Sequence, residues 1–125
     1  MHRVLLHEAV IDVPSGLVDA MRDFWSAALA ATPRRLDGYT EFIELQHAAS
    51  LAALGLQDIG DEPARVHLDI ETDDLEAEVR RLVGLGAREV ARPHSWVVLA
   101  DPAGLLFCVL PQSSPDFEAR ARPVG

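Results

Sequence analysis

Acidic and histidine side chains recur at alternate positions in two stretches of the 125-residue chain, and these residue types can hold a cation or move a proton. Glu8 and Asp12 are four residues apart in the first stretch. In the second, neighbours are two residues apart: His67, Asp69 and Glu71. Side chains two apart in a β-strand project from the same face. If both stretches are strands, each has one polar face, opposite the residues that lie between.

These two polar faces suit a divalent cation or a polar ligand. Carboxylate and imidazole groups bind Zn, Fe, Mn, Co and Ni in proteins. For His67 the alternative is a hydrogen-bonded structural histidine, and the sequence leaves the two interpretations open.

Periodicity predicts the elements that position these residues. Residues 7–13 alternate as a strand, and residues 17–30 have apolar side chains at helical spacing. Three shorter strand-like runs follow, at 34–36, 39–46 and 50–59. Periodicity alone would also allow a helix in the last run, and we favour a strand.

The same order of elements recurs in the second half. Residues 65–72 alternate as a strand, and Asp73-Asp74 can cap a helix over 75–86. Three strands are then predicted, at 88–94, 96–101 and 105–111. The chain therefore reads as a strand, a helix and three strands, repeated once.

Composition excludes several classes of function. A net charge of −9, from 20 acidic and 11 basic residues, argues against nucleic acid as a partner. No apolar run approaches the roughly 20 residues of a membrane span, and the single cysteine gives no sign of an oxidising compartment. We expect a cytoplasmic protein. Motifs for acyl transfer or nucleotide binding are absent from the sequence.

Specific stretches resemble a known family. VHLDIETDDLEAEVRRLVGLGA, followed by WVVLADPAGLLFCVL, resembles the second module of glyoxalase-like proteins of the vicinal oxygen chelate superfamily, which includes bleomycin resistance proteins and dioxygenases. AVIDVPSGLVDAMRDFWSAAL resembles their opening strand and helix. The resemblance implies an α+β fold, with two βαβββ modules whose mixed sheets form a cup. We expect a single domain over 1–125, with modules at 4–60 and 64–111 and a surface tail at 112–125.

The resemblance also implies four metal-ligand positions, on the first and last strands of each module. The matching residues are Glu8, Gln57, His67 and Cys108. Similar proteins usually have a glutamate where Cys108 stands. A thiolate is an unusual partner for a hard metal, and a buried cysteine usually behaves as a small apolar residue. This departure argues against glyoxalase-type isomerisation, which needs a carboxylate base near the metal.

We expect a protein that binds a small molecule, and the sequence does not decide whether it is an enzyme. In the enzyme version, a divalent metal (Zn, Fe, Mn, Ni or Co) serves a lyase, isomerase or dioxygenase acting on an oxygenated substrate. Glu8 and His67 hold the cation with support from Gln57. The base is then one of three carboxylates: Asp12, Asp69 or Glu71.

The alternative is a metal-free binding or sequestering protein, similar to drug-binding resistance proteins. Trp96 and Phe107 would then hold an organic ligand by apolar contact. An acidic cup would favour cationic ligands. A third interpretation is a fold retained as a dimerisation or accessory module, and a homodimer is compatible with all three.

Overall fold

A computed structural model describes residues 1–28, 31–47 and 53–125, apart from the side chain of Phe24. A 3-10 turn at Ser15–Leu17 separates the first strand from the first helix. The elements in chain order are β1 (His2–Val13), α1 (Val18–Ala28), β2 (Thr32–Leu36), β3 (Tyr39–Gln46), β4 (Leu54–Asp58), β5 (Arg65–Thr72), α2 (Leu75–Gly84), β6 (Arg88–Ala91), β7 (Val97–Ala100), β8 (Leu106–Pro111), α3 (Phe117–Arg120) and β9 (Arg122–Val124).

The chain divides into two compact units. One is Glu8–His67, and the other combines Met1–His7 with Leu68–Gly125. We call them the 8–67 unit and the split unit. The boundaries fall inside β1 and β5, so each of these strands contributes residues to both units.

In the 8–67 unit the strand order is β2-β3-β4-β1. β1 pairs in parallel with β4, and the β2–β3 and β3–β4 pairs are antiparallel. The apolar side chains of β1 pack in one core with α1, as alternation predicts. This core contains buried residues of three strands (Val13, Ile43, Leu45, Leu54 and Leu56), with Ala9, Ile11, Val18, Met21 and Trp25 packed against them.

In the split unit the strand order is β9-β1-β5-β8-β7-β6. β5 pairs in parallel with β8, whereas β8–β7 and β7–β6 are antiparallel. The Asp74 side chain caps α2 by accepting a hydrogen bond from the Ala77 amide at 3.0 Å. Gly86, with φ at +113°, adopts the left-handed backbone that commonly follows a helix. The core contains Val79, Val97, Leu99 and Val109.

The α+β class and the mixed strand pairing predicted from the sequence are confirmed. β4 lies within the run predicted as a strand at 50–59, whose residues 50–52 are outside the described residues, as is the predicted end of the first helix at 29–30. β1 is longer than predicted and begins at His2. No helix in the described ranges is long and apolar enough to span a membrane.

Candidate functional site

The centre of the candidate site is a buried pair of residues in the 8–67 unit, Asp12 on β1 and His67 on β5. Their exposed fractions are 1% and 6%. His67 Nδ1 lies 3.0 Å from Asp12 Oδ1 and 2.9 Å from Oδ2. A carboxylate only accepts hydrogen bonds, so Nδ1 carries a proton, which in a neutral ring leaves the lone pair on Nε2. Metal-binding histidines are oriented by this kind of carboxylate contact.

Arg65 adds a positively charged group beside this pair. Its Nε atom lies 3.3 Å from Asp12 Oδ2, and its Nη1 lies 3.9 Å from Glu62 Oε2. Burial of a lone carboxylate is costly, and a nearby guanidinium compensates the charge. Because Arg65 supplies this positive charge, His67 does not have to be cationic for Asp12 to be paired.

Gln57 and Glu8, two predicted metal ligands, lie on the same face of the 8–67 unit. Gln57 is the register partner of Asp12 in the parallel β1–β4 pair. Glu8 extends over Gly55, where an added Cβ would lie 2.9 Å from Glu8 Oε2. Only glycine allows this close approach.

The donors in this unit are a carboxylate, an amide oxygen and an imidazole nitrogen, contributed by Glu8, Gln57 and His67. Mixed oxygen and nitrogen donors suit divalent first-row cations better than a soft thiophilic metal. The space left by Gly55 accommodates the carboxylate. The chemistry of the donor set therefore fits the metal that the family resemblance implies.

Asp69 and Cys108 lie together in the split unit. They are register partners in β5 and β8, and a carboxylate oxygen of Asp69 lies within 4.8 Å of the Cys108 sulfur. Asp69 is buried and Cys108 is half-buried. Asp69 shares a face of β5 with His67, and both are buried, whereas Leu68 between them is 39% exposed. In this part of β5 the polar side chains are therefore more buried than the apolar ones between them, Leu68 and Ile70.

Glu71 is fully buried and binds the chain that follows β8. It accepts hydrogen bonds from the Ser113 hydroxyl at 2.8 Å and from the amides of Ser113 and Ser114 at 3.2–3.3 Å. Another hydrogen bond of 2.7 Å joins Ser114 Oγ to His7 Nδ1, and His7 Nε2 lies 3.9 Å from Glu71 Oε2. Glu71 thus holds residues 113–114, and acting as a base would require it to give up these hydrogen bonds.

The two aromatic residues predicted to hold an organic ligand have different surroundings. Trp96 precedes β7 and is half-buried, with its ring centroid 4.6 Å from that of His94. Phe107 packs against the core of the split unit. Its neighbour Cys108 projects from the other face of β8. Phe107 therefore contributes to the core on the face opposite Cys108.

Sequence reasoning missed two charged residues: Arg65, which has a buried partner, and Glu78, which is itself buried. Extending the alternation of β5 back by one step would have found Arg65, which shares a face with His67. Glu78 on α2 is fully buried, with hydrogen bonds from Arg81 at 2.7 and 2.8 Å and a 2.6 Å contact with His2 Nε2. Burial alone would raise the pKa of Glu78, but these hydrogen bonds lower it by a larger amount. The net pKa therefore lies below the ordinary value.

Comparison with known proteins identifies the family of the chain. The family model described as a glyoxalase-like domain matches residues 8–110. No curated protein sequence gives a significant match.

Several solved structures have a similar fold. A hypothetical protein from Bacillus halodurans C-125 is 12% identical, with a TM-score of 0.67 over 89% of this chain and 96% of that one. Methylmalonyl-CoA epimerase from Mycobacterium tuberculosis is 20% identical, with a TM-score of 0.59 over 91% of each chain. A glyoxalase/bleomycin resistance protein/dioxygenase superfamily member from Vibrio splendidus 12B01 is 14% identical, with a TM-score of 0.54 over 90% of this chain and 100% of that one. At these identities the likeness concerns the fold.

Proposed function

Because the chain belongs to the glyoxalase-like domain family, we propose that it binds a small oxygenated molecule together with a divalent cation, as a lyase, isomerase or dioxygenase. The observation that supports this most directly is the Asp12–His67 hydrogen bond. A ring that donates from Nδ1 would coordinate a cation through Nε2, in the way that metal-binding histidines are oriented by carboxylates.

Glu8, Gln57 and His67 would hold the cation, which is one of Zn, Fe, Mn, Ni or Co. When bound, such a cation polarises oxygen atoms of the substrate as a Lewis acid. Asp12 orients His67, and Arg65 compensates the Asp12 charge. Among the predicted bases, Asp69 is the first to test, because it shares a strand face with His67 and lies beside Cys108.

A second candidate is a metal-free protein that sequesters an organic ligand. The residue that favours it is Cys108, a thiol at the position where similar proteins usually carry a glutamate. In this version Trp96 supplies apolar contact and the buried carboxylates favour a cationic ligand. Phe107, which packs into the core, would support the wall from behind.

Metal analysis separates the two candidates. Protein purified without an affinity tag is incubated with each of the five cations, desalted and analysed by mass spectrometry. We expect about one metal per chain in the native protein and in the control His94→Ala, whose histidine is exposed, and a near-complete loss in His67→Ala. The metal should also raise the melting temperature, since a ligand that binds the folded state stabilises it.

Native protein that takes up no metal from any of the five solutions, with an unchanged melting temperature, would eliminate the metal-dependent proposal. A thermal-shift panel of cationic and anionic organic compounds then tests the second candidate. Stabilisation by the anionic set alone would exclude that candidate, because it requires cationic ligands.

A further inference from the structure

Arg65 lies beside the Asp12–His67 pair, and compensation of the Asp12 charge is the one role given to it above. It precedes His67 by two residues on β5, so both side chains project from the same face. Arg65 Nε and His67 Nδ1 contact the same atom, Asp12 Oδ2, at 3.3 and 2.9 Å. These two distances place the guanidinium within about 6 Å of the imidazole ring. A small ligand bound next to His67 is therefore within reach of Arg65.

The guanidinium retains hydrogen-bonding capacity. An arginine has five N–H donors in a planar fork. Among the described residues, Arg65 forms ion pairs with Asp12 and Glu62 at 3.3 and 3.9 Å, and no side-chain hydrogen bond of normal geometry. Its side chain is 38% exposed, whereas Asp12 is 2% exposed at the side chain. Arg65 is thus held in place from the buried side and presents N–H groups to solvent.

Two other arginines of the 8–67 unit are already hydrogen-bonded to carboxylates. Arg34 donates two hydrogen bonds to Glu44, and Arg22 donates to Asp19 and Asp23. With a net charge of −9, the chain as a whole repels small anions. The positively charged guanidinium beside His67 therefore favours anionic ligands at this position.

We infer that Arg65 recognises an anionic group of the ligand, so that the substrate is a small oxygenated compound carrying a carboxylate or a phosphate. This inference rests on the proposed function, since it names the substrate class of the same site. Arg65 binds the anion through its outer N–H groups while Nε remains paired with Asp12. Planar, bidentate contacts of this kind are what distinguish arginine from lysine in anion recognition. The inference opposes the metal-free candidate, for which cationic ligands are expected.

Two pairs of probe compounds test the inference by calorimetry. Dihydroxyacetone phosphate and dihydroxyacetone differ only in the phosphate. 2-Oxoglutarate and its 5-amide differ only in the distal carboxylate. In the native protein, with and without added Mn²⁺, the member with the additional phosphate or carboxylate should bind more tightly in at least one pair. Whether the phosphate or the carboxylate pair shows the larger difference identifies the anionic group.

Variants of Arg65 assign the effect to the guanidinium. Arg65→Gln should weaken binding of the member with the additional anionic group by about tenfold to a hundredfold relative to its partner in the pair. Arg65→Lys keeps the charge beside Asp12 but loses the fork, so an intermediate loss is expected. The matched control is Arg34→Gln on β2, whose side chain is 53% exposed, and it should bind all four probes as the native protein does.

The results separate this inference from the proposed function. Equal affinity for both members of each pair, no binding of any probe, or equal losses for both members in Arg65→Gln would overturn the inference, whatever the metal content. Native protein that binds no metal but discriminates the anions through Arg65 would overturn the metal-dependent function and support the anion site. Metal content measured on Arg65→Lys completes the separation, because this variant keeps the positive charge beside Asp12 and should retain the metal that His67→Ala loses.

Discussion

The Nδ1 atom of His67 lies 2.9 Å from the Oδ2 atom of Asp12, so one buried carboxylate determines the orientation of one buried imidazole. The two residues are 55 positions apart in the chain, Asp12 on β1 and His67 on β5. Arg65 contacts the same carboxylate oxygen. Asp12 thus orients His67 and is paired with Arg65, although it is not one of the proposed cation ligands.

Asp12→Asn tests this orienting role. The amide keeps the shape of the carboxylate but loses its charge, so it holds the imidazole less firmly and makes Nε2 a weaker donor. Loss of such a partner typically lowers metal affinity about 10–100-fold. We expect this loss in a competition titration with Zn²⁺ or Ni²⁺, while Asp23→Asn, an exposed position on α1, retains the native affinity. Unchanged affinity in Asp12→Asn would show that the hydrogen bond is purely structural.

Gly55→Ala tests the close approach of Glu8 to β4. An alanine Cβ would lie 2.9 Å from Glu8 Oε2, so the carboxylate must move. Overpacking of this kind costs about 1–3 kcal/mol of unfolding free energy, and metal affinity should fall with it. The control is Gly84→Ala, where an added Cβ meets nothing within 4 Å.

A double-mutant cycle identifies the cause of the Gly55→Ala effect. If the clash is with Glu8, Gly55→Ala should cost little stability in a Glu8→Ala background, as measured by urea unfolding. The same cost in both backgrounds would contradict the assignment and point to the backbone of β3, whose Ile43 oxygen lies 3.5 Å from the added Cβ.

Local patterns predicted the faces of the strands that carry this site. Alternation placed Asp12 opposite Ala9, Ile11 and Val13 of β1, and these three residues do pack in the core with α1. The Asp74 cap was also predictable, because a capping side chain binds an amide only three residues away. These features depend on short stretches of chain, which is why the sequence alone is sufficient.

Long-range partners were not predictable from the same patterns. Glu71 binds serines that are 42 and 43 residues further along, in a segment whose composition predicted no regular element. The register between distant strands, not the strand pattern, decides that His67 meets Asp12. The burial of the polar face of β5 also depends on such partners, since buried polar groups must be hydrogen-bonded.

Glu71→Gln tests how firmly residues 113–114 are held. The amide group would replace one acceptor oxygen with a donor that faces the N–H and O–H groups of the two serines. We expect a loss of about 1–3 kcal/mol in unfolding free energy, compared with about 1 kcal/mol for Ser113→Ala. Hydrogen exchange at the Ser114 amide should accelerate in Glu71→Gln. Native exchange rates there would mean that the backbone is held by other contacts.

Glu78→Gln probes the buried cluster on α2 through its pH dependence. The pKa of Glu78 in the folded protein lies below its ordinary value of 4.5, because hydrogen bonds from Arg81 and His2 outweigh the effect of burial. A carboxyl group with a lowered folded pKa stabilises the protein above its unfolded pKa, and this contribution is lost as the pH falls through the folded value. Urea unfolding should therefore show Glu78→Gln to be less stable than the native protein by about 1–3 kcal/mol at about pH 7.

That difference should shrink steadily below about pH 4.5, because protonation then removes the charge from the native side chain as well. Glu44→Gln, at a half-buried position of β3 that pairs with Arg34, provides the matched control and should change stability by less than about 1 kcal/mol at either pH. A destabilisation by Glu78→Gln that stays constant across this range would show that side-chain shape, rather than the charge paired with Arg81, makes Glu78 important to the fold.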